Sequence, residues 1–305
     1  MSKEPLTLEI KGNSLDDGPG IRTVVFMKGC PLSCVWCHNP ESKMPGYEIS
    51  FDSSECIGCD TCLETCNDGA LSRSNRFFVD REKCSLCFEC TEACPSGALS
   101  KVGSEMTVDE IVSQVIKDKP FFDNSGGGVT VSGGEPTLFM AFLSRLIIAC
   151  KAEGIHTLLE TCGQFNLKKF MDLVYPHLDL IYFDIKIFDN SKHRRLCGVD
   201  NSVILENLTS LYSLYLEDGV EILPRIPVIP DMTDSEKNMN AIAFFLKELK
   251  VKKAELMPYH PLWQEKNLKI GMENPAVNDK TMLEWMSQDG LNECKSIFKK
   301  ASIDV

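Results

Sequence analysis

Cysteine constrains this chain more than any other feature. Of its fifteen cysteines, eleven fall in three tight runs between Cys30 and Cys94. The stretch Met1 to Lys11 is polar and charged, with no apolar core, so no secretory signal is expected. In such a chain, clustered thiols read as metal ligands or catalytic groups before they read as disulfides. The 305 residues, 43% hydrophobic and 25% charged, suffice for one large domain, or one domain with a small insert, without crosslinks.

The first run is Cys30-Pro-Leu-Ser-Cys34-Val-Trp-Cys37. Three thiolates at this spacing, on a loop just after a strand, can wrap one face of an iron–sulfur cubane. The fourth iron is then left without a protein ligand, and a small molecule can chelate it through an amine and a carboxylate. A structural zinc site needs four ligands, and His38 could supply the last one. The second and third runs are Cys56-x2-Cys59-x2-Cys62-x3-Cys66 and Cys84-x2-Cys87-x2-Cys90-x3-Cys94. This is bacterial ferredoxin spacing, in which the fourth cysteine serves the other cluster. Cys56, Cys59, Cys62 and Cys94 are therefore assigned to one cubane, and Cys84, Cys87, Cys90 and Cys66 to a second. Pro95 follows the last run in the usual way, whereas Asn67 follows the earlier one. Zinc ribbons carry two pairs of cysteines rather than two sets of four.

The rest of the chain alternates. Short apolar runs at Arg22–Met27, Val129–Ser132, His156–Glu160, Leu180–Asp184, Val220–Ile226 and Lys253–Met257 read as strands. Helical spacing runs over Leu138–Ala152 and near 166–175, 202–215 and 235–249, and Thr107 with Glu110 forms a capping box. Gly126-Gly-Gly128 ends that earlier unit before the second strand. Six β units with crossover helices imply a parallel α/β sheet, short of the eight that close a barrel. The expected fold is a partial (β/α)6 TIM-like barrel. Residues 51–100 are short of long apolar periods and dense in cysteine, so they read as a ferredoxin-like insert between core segments 1–50 and 101–305.

With the motifs laid out, the chain resembles the radical SAM superfamily, whose signature is C-x3-C-x-aromatic-C, with Trp36 in the aromatic place. Leu15-Asp-Asp-Gly-Pro-Gly-Ile-Arg22, Phe26 to Lys28, and Cys37-His-Asn-Pro-Glu-Ser42 look like the branch that activates glycyl radical enzymes. The likeness runs from about residue 12 to about residue 272 and implies the site. Trp36 packs near the adenine of S-adenosylmethionine (SAM). Gly133, Gly134 and Glu135, in the GGEP motif, approach its amino group. Lys186 pairs with its carboxylate, Arg225 makes a charge contact and His260 a polar contact to the ribose. Glu160, Thr161 and Asp184 help hold a monovalent cation, although many relatives carry Asp at the position of Glu160. Cys30, Cys34 and Cys37 hold the catalytic [4Fe–4S] cluster, with two auxiliary [4Fe–4S] clusters in the insert. Cys150, Cys162, Cys197 and Cys294 are read as non-ligands, and His193, in Lys192-His-Arg-Arg, as lying on a solvated face.

The implied reaction is reductive cleavage of SAM to a 5′-deoxyadenosyl radical, which takes a hydrogen atom from a glycine of a partner glycyl radical enzyme. A flavodoxin or ferredoxin is the implied electron donor. Activases with a ferredoxin insert serve decarboxylases, choline or glycerol lyases and related eliminases, whereas pyruvate formate-lyase activases generally lack it. Two other readings compete. A plain multi-cluster electron carrier has no use for residues 101–305. Sulfatase-maturing or peptide-modifying relatives usually carry their auxiliary cysteines after the barrel, not directly after the first loop. A net charge of −12 and a pI of about 5.0 argue against nucleic acid. Apolar stretches such as Leu143–Cys150 are too short for a bilayer. The expected setting is the cytoplasm of an anaerobic bacterium.

Overall fold

The computed structural model describes residues 4–273 and 280–305. Ten strands are present among them: β1 (Leu6–Ser14), β2 (Arg22–Met27), β3 (Glu48–Phe51), β4 (Leu99–Val102), β5 (Ser104–Glu105), β6 (Gly128–Gly133), β7 (His156–Thr161), β8 (Leu180–Asp184), β9 (Glu221–Val228) and β10 (Glu255–Pro258). Eight of them form one sheet in the order β10-β9-β8-β7-β6-β2-β1-β5. The six from β2 to β10 in that sheet pair in parallel. They are the six expected units, and the sheet is open. Their near-continuous burial, as in β6 and β8, is what a parallel sheet covered on both faces requires.

Two strands of this sheet escaped the sequence reading, as did the hairpin β3–β4 outside it. β1 pairs antiparallel with β2, and β5 with β1. In β1 charged Glu9 and Lys11 share the strand with apolar Leu6, Leu8 and Ile10, so its one-sided pattern was masked by its charge.

Eleven α-helices are present among the described residues, the first two in the cysteine-rich segment and most of the others against the sheet. They are α1 (Thr61–Thr65), α2 (Glu89–Glu92), α3 (Val108–Val115), α4 (Lys119–Ser125), α5 (Met140–Ala152), α6 (Leu167–Leu173), α7 (Asn190–Cys197), α8 (Ser202–Tyr215), α9 (Glu236–Glu248), α10 (Trp263–Lys269) and α11 (Gln288–Lys300). The capping box forms at α3: Thr107 Oγ1 accepts from the Glu110 amide, and Glu110 Oε2 accepts from the Thr107 amide. Gly126, in the left-handed region at φ 71°, stops α4. Val129, Val131, Leu143, Ile147, Ile181 and Phe183 are among the residues of the main core, buried between sheet and helices. No helix among the described residues is long and apolar enough to cross a membrane.

The cysteine-rich segment folds on an antiparallel hairpin, β3 with β4, and has a small core of its own around Ile49, Phe78, Val79 and Leu99. Lys28, fully buried at the end of β2, donates to Glu48 Oε2 at 2.8 Å and to the Glu41 carbonyl. The hairpin is thereby fixed to the sheet. On its other side, Lys269 of α10 pairs with Asp52 at 2.5 Å, and Arg81 donates to the carbonyls of Ile49 and Lys269.

Candidate active site

The loop that carries the first cysteine run leaves β2 at its C-terminal end, where parallel α/β sheets place their ligands. Backbone bonds hold it from two sides. The Gly29 and Cys30 amides donate to the carbonyls of Ser42 and Lys43, at 2.7 and 3.0 Å. The Ser33 and Val35 amides donate to the carbonyls of Cys197 and Leu196, the last of α7, at 2.8 and 3.0 Å. Gly198 makes this approach possible, since a Cβ there would lie 2.2 Å from Ser33 Oγ.

Inside that loop Cys34 and Trp36 are buried, and Cys30 and Cys37 are half-buried. Two further thiols lie beside them. Cys162 hydrogen-bonds Cys30 and holds it below its ordinary pKa, while Cys34 is pushed up by its bond to Cys197 and by burial. Burial pushes Cys37 up to about 12. Without a metal Cys34 and Cys37 stay protonated, and coordination is what would deprotonate them.

Strands β6 to β9 bring the polar residues to the same end. Gly134 touches the loop directly: its amide donates to the Met27 carbonyl at 2.8 Å, and a Cβ there would lie 2.2 Å from the Gly29 carbonyl oxygen. Gly133, at φ 108°, would clash with Met27 in the same way. The buried Glu135 carboxylate accepts four hydrogen bonds, from the Thr137 amide and hydroxyl, the Thr161 hydroxyl and the Cys162 amide. Glu160 accepts from Ser132 Oγ at 2.5 Å and pairs with Arg225. Lys186 donates to Asp184 at 2.8 Å. Burial alone would lower the Lys186 pKa, but the Asp184 carboxylate outweighs it and keeps the ammonium charged. Arg225 is likewise held charged against burial by Glu160, Asp184 and Glu255.

Of the trio implied to hold a cation, each member is engaged within the protein. Glu160 binds Arg225, Asp184 binds Lys186, and the Thr161 hydroxyl turns to Glu135. Among the described residues, no group of three or more His, Cys, Asp or Glu is arranged to hold a single metal ion.

At the end of β10 an aromatic cluster faces the loop. The His38 and His260 rings lie 4.2 Å apart, with Trp263 6.4 Å from His38 and Trp285 5.7 Å from His260. His38 Nε2 and His260 Nδ1 are buried without a hydrogen-bond partner. Burial, with His260 and nearby lysines, pushes His38 down to about 3, so it is neutral. Two orphaned nitrogens beside stacked rings fit a polar, flat ligand such as a nucleoside. The sequence reading named His260 but took His38 only as a zinc alternative, and it missed Trp263. The available signal was Pro258-Tyr-His-Pro-Leu-Trp263, an aromatic run at the end of the last parallel strand.

A cavity beneath Phe51 and Leu99 is lined by Cys56, Cys59, Cys62 and Cys94. Cys90 is pushed up to about 11 by burial and by the neighbouring Cys84, Cys66 and Cys87. The same turn is built twice: Asp60 after Cys59 and Phe88 after Cys87 both take left-handed backbone, at φ 63° and 65°, and each opens a short helix. Phe88 meets Tyr47 edge-on at 5.6 Å, which ties the Cys84 set to the barrel end of the hairpin. Cavity and crossed thiols both fit [4Fe–4S] groups. One expectation fails: His193 is buried, its Nδ1 2.7 Å from the Val199 carbonyl. It shares the inner face of α7 with Cys197, four residues on, while Arg194 and Arg195 face solvent.

Comparison with known proteins agrees with this geometry. Residues 81–241 match the radical SAM superfamily, residues 55–98 a 4Fe-4S dicluster domain and residues 16–70 a 4Fe-4S single cluster domain. The isethionate sulfite-lyase activating enzyme of Nitratidesulfovibrio vulgaris is 41% identical over 276 residues, covering 88% of this chain and 89% of that one. The trans-4-hydroxy-L-proline dehydratase activating enzyme of Clostridioides difficile is 37% identical over 304 residues, 98% of either chain. A solved radical SAM methyltransferase from Sphaerobacter thermophilus has a TM-score of 0.55 at 14% identity, over 98% of this chain and 76% of that one, a likeness of fold alone.

Proposed function

This chain belongs to the radical SAM superfamily, in its family of activating enzymes, and we propose that it installs the radical of a partner glycyl radical enzyme. The observation that carries the reading is the placing of Cys30, Cys34 and Cys37 on one loop, beside a charged, buried Lys186 and two unpartnered histidine nitrogens. When bound, the cluster and SAM supply one electron, free methionine and a 5′-deoxyadenosyl radical that takes a hydrogen atom from the partner's glycine Cα.

The chain's own residues bind and orient. Lys186 offers its ammonium to the methionyl carboxylate, and Arg225 adds positive charge behind it. Gly133 and Gly134 let backbone come close to the amino group. Glu135 acts through its hydrogen bonds, holding the Thr161–Cys162 turn against the GGEP loop. His260 and His38 offer their free nitrogens to the nucleoside, with Trp36 packed nearby. Buried Tyr259 and Trp263 help exclude water. A monovalent cation at Glu160, Thr161 and Asp184 would have to draw these groups from their present partners.

We assign three [4Fe–4S] clusters: one to the loop cysteines and two to the ferredoxin-like insert of residues 51–100, set within a core of 1–50 and 101–305. The crossed cysteine sets support the two auxiliary ones, and an insert of this kind suits a flavodoxin or ferredoxin as donor. The relatives' names include a sulfite-lyase and a dehydratase. We therefore place the partner among lyases, dehydratases and decarboxylases rather than pyruvate formate-lyase. Free thiols and oxygen-sensitive clusters suit the cytoplasm of an anaerobic bacterium.

The test is anaerobic. Reconstituted protein should hold about twelve irons, four per cubane, and release 5′-deoxyadenosine from SAM after chemical reduction. Cys30→Ala should hold about eight and release none, whereas Cys87→Ala should retain slow turnover with the chemical reductant. Unchanged turnover in Cys30→Ala would sink the assignment.

A further inference from the structure

An open cleft of about 540 Å³ lies between the first turns of α7 and α9, the helices that follow β8 and β9, at the strand end that Lys186 also follows. Three cations line it: Lys192 and Arg195 from α7, and Lys237 from α9. None of them forms an ion pair among the described residues, whereas the adjacent Arg194 pairs with Asp200 at 3.3 Å. Asp189 is the acid in the lining, with Asp234 near Lys192. Together the three cations make a local positive patch in a chain of net charge −12.

We propose that this cleft docks an acidic surface segment of the partner enzyme, an inference that rests on the activating function proposed above. A partner whose glycine must reach the site beside Lys186 has to come to this end of the sheet, and charge complementarity would steer its approach. A free phosphate fits less well. One amide at each of the two helix starts is already taken: Asp189 Oδ1 accepts from the Lys192 amide at 2.8 Å, and Ser235 Oγ accepts from the Asn238 amide at 3.4 Å. The cations also stand on two helices rather than converging on one point.

The cleft connects to the site. Asn238 on its wall accepts from the Phe188 amide at 2.9 Å and reaches the Lys186 carbonyl at 3.4 Å. The last carbonyls of α7 hold the catalytic loop through Ser33 and Val35. A segment bound here would brace the two elements that position Lys186 and the first cysteine run.

The experiment uses reconstituted holoenzyme and a fluorescein-labelled oligoglutamate peptide, read by fluorescence anisotropy. K192E/R195E/K237E should weaken binding by about tenfold or more. The charge-matched K247E/K299E/K300E, made on exposed helix residues elsewhere, should stay within about twofold. Release of 5′-deoxyadenosine from SAM should be unchanged in both. The proposal is overturned if wild type does not bind, if both triple variants weaken it alike, or if inorganic phosphate displaces the peptide as well as unlabelled oligoglutamate does. Wild type that binds the peptide but releases no 5′-deoxyadenosine would overturn the activating reading instead, and leave the acidic-segment site standing.

Discussion

Glu135 offers the sharpest test of how the GGEP motif works. Its carboxylate is 1% exposed and accepts four hydrogen bonds, three at Oε1 and one, from the Cys162 amide at 2.6 Å, at Oε2. In Glu135→Gln the new NH2 must face donors whichever way it turns. Placed at Oε2 it meets the Cys162 N–H and loses one bond; placed at Oε1 it loses up to three. One lost bond to a charged acceptor costs about 1.5–3 kcal/mol, and a buried amide left without a partner adds about 1–3 kcal/mol. About 4 kcal/mol is therefore expected. With a urea slope of about 3 kcal/mol/M for a chain this long, the midpoint of the metal-free, reduced protein should fall by about 1.3 M. Equilibrium urea unfolding by circular dichroism reads it. If the carboxylate instead served chiefly to meet the SAM ammonium, the metal-free midpoint would stay within about 0.2 M of wild type, while SAM binding by holoenzyme would be lost. That result would refute the reasoning.

Lys28→Met removes the partner of Glu48 from a fully buried site and should cost about 3 kcal/mol; adding Glu48→Leu should restore part of it, and a wild-type urea midpoint in the single variant would contradict the tie between sheet and hairpin. Cys162→Ala and Cys197→Ala should each keep about twelve irons on reconstitution, since these thiols accompany Cys30 and Cys34 rather than replace them; loss of about four would make either one a ligand. Burial holds His193 below its ordinary pKa. The unfolded chain takes up a proton near pH 6.5 that the folded ring refuses, so its stability is present above that pH and is lost as pH falls. His193→Gln should flatten the loss between about pH 6.5 and 5 by up to about 1.4 kcal/mol per pH unit, and an identical slope in both proteins would show that the ring protonates in place.

What was legible in the sequence is what depends on near neighbours along the chain. The three cysteines that open each run of the insert are near neighbours, and two residues between ligands leave few ways to wrap a cubane. The six parallel strands follow from short apolar runs, since strands buried on both faces need no alternation. Strand β1 failed for the converse reason: its outer face carries Glu9 and Lys11, and only the sheet shows that the other residues are covered. His193 sits in a run of cations, Lys192, Arg194 and Arg195, and a helix turns it away from them through the 3.6-residue period.

Partner choice within the site is the part that spacing does not carry. Glu160, Thr161 and Asp184 stand at the ends of neighbouring strands, as the family likeness implies, yet their hydrogen bonds go to Arg225, Glu135 and Lys186. Arg225 is 65 residues from Glu160, so only the register of β7, β8 and β9 brings them together. A buried carboxylate without a cation would be costly, and the protein meets that demand with its own arginine and lysine. Any added cation has to compete with these contacts. The SAM carboxylate would provide the means: if Lys186 turned to it, Asp184 would keep only its 3.9 Å contact with Arg225 and become the acid with spare negative charge. Cation binding should therefore follow SAM binding rather than precede it.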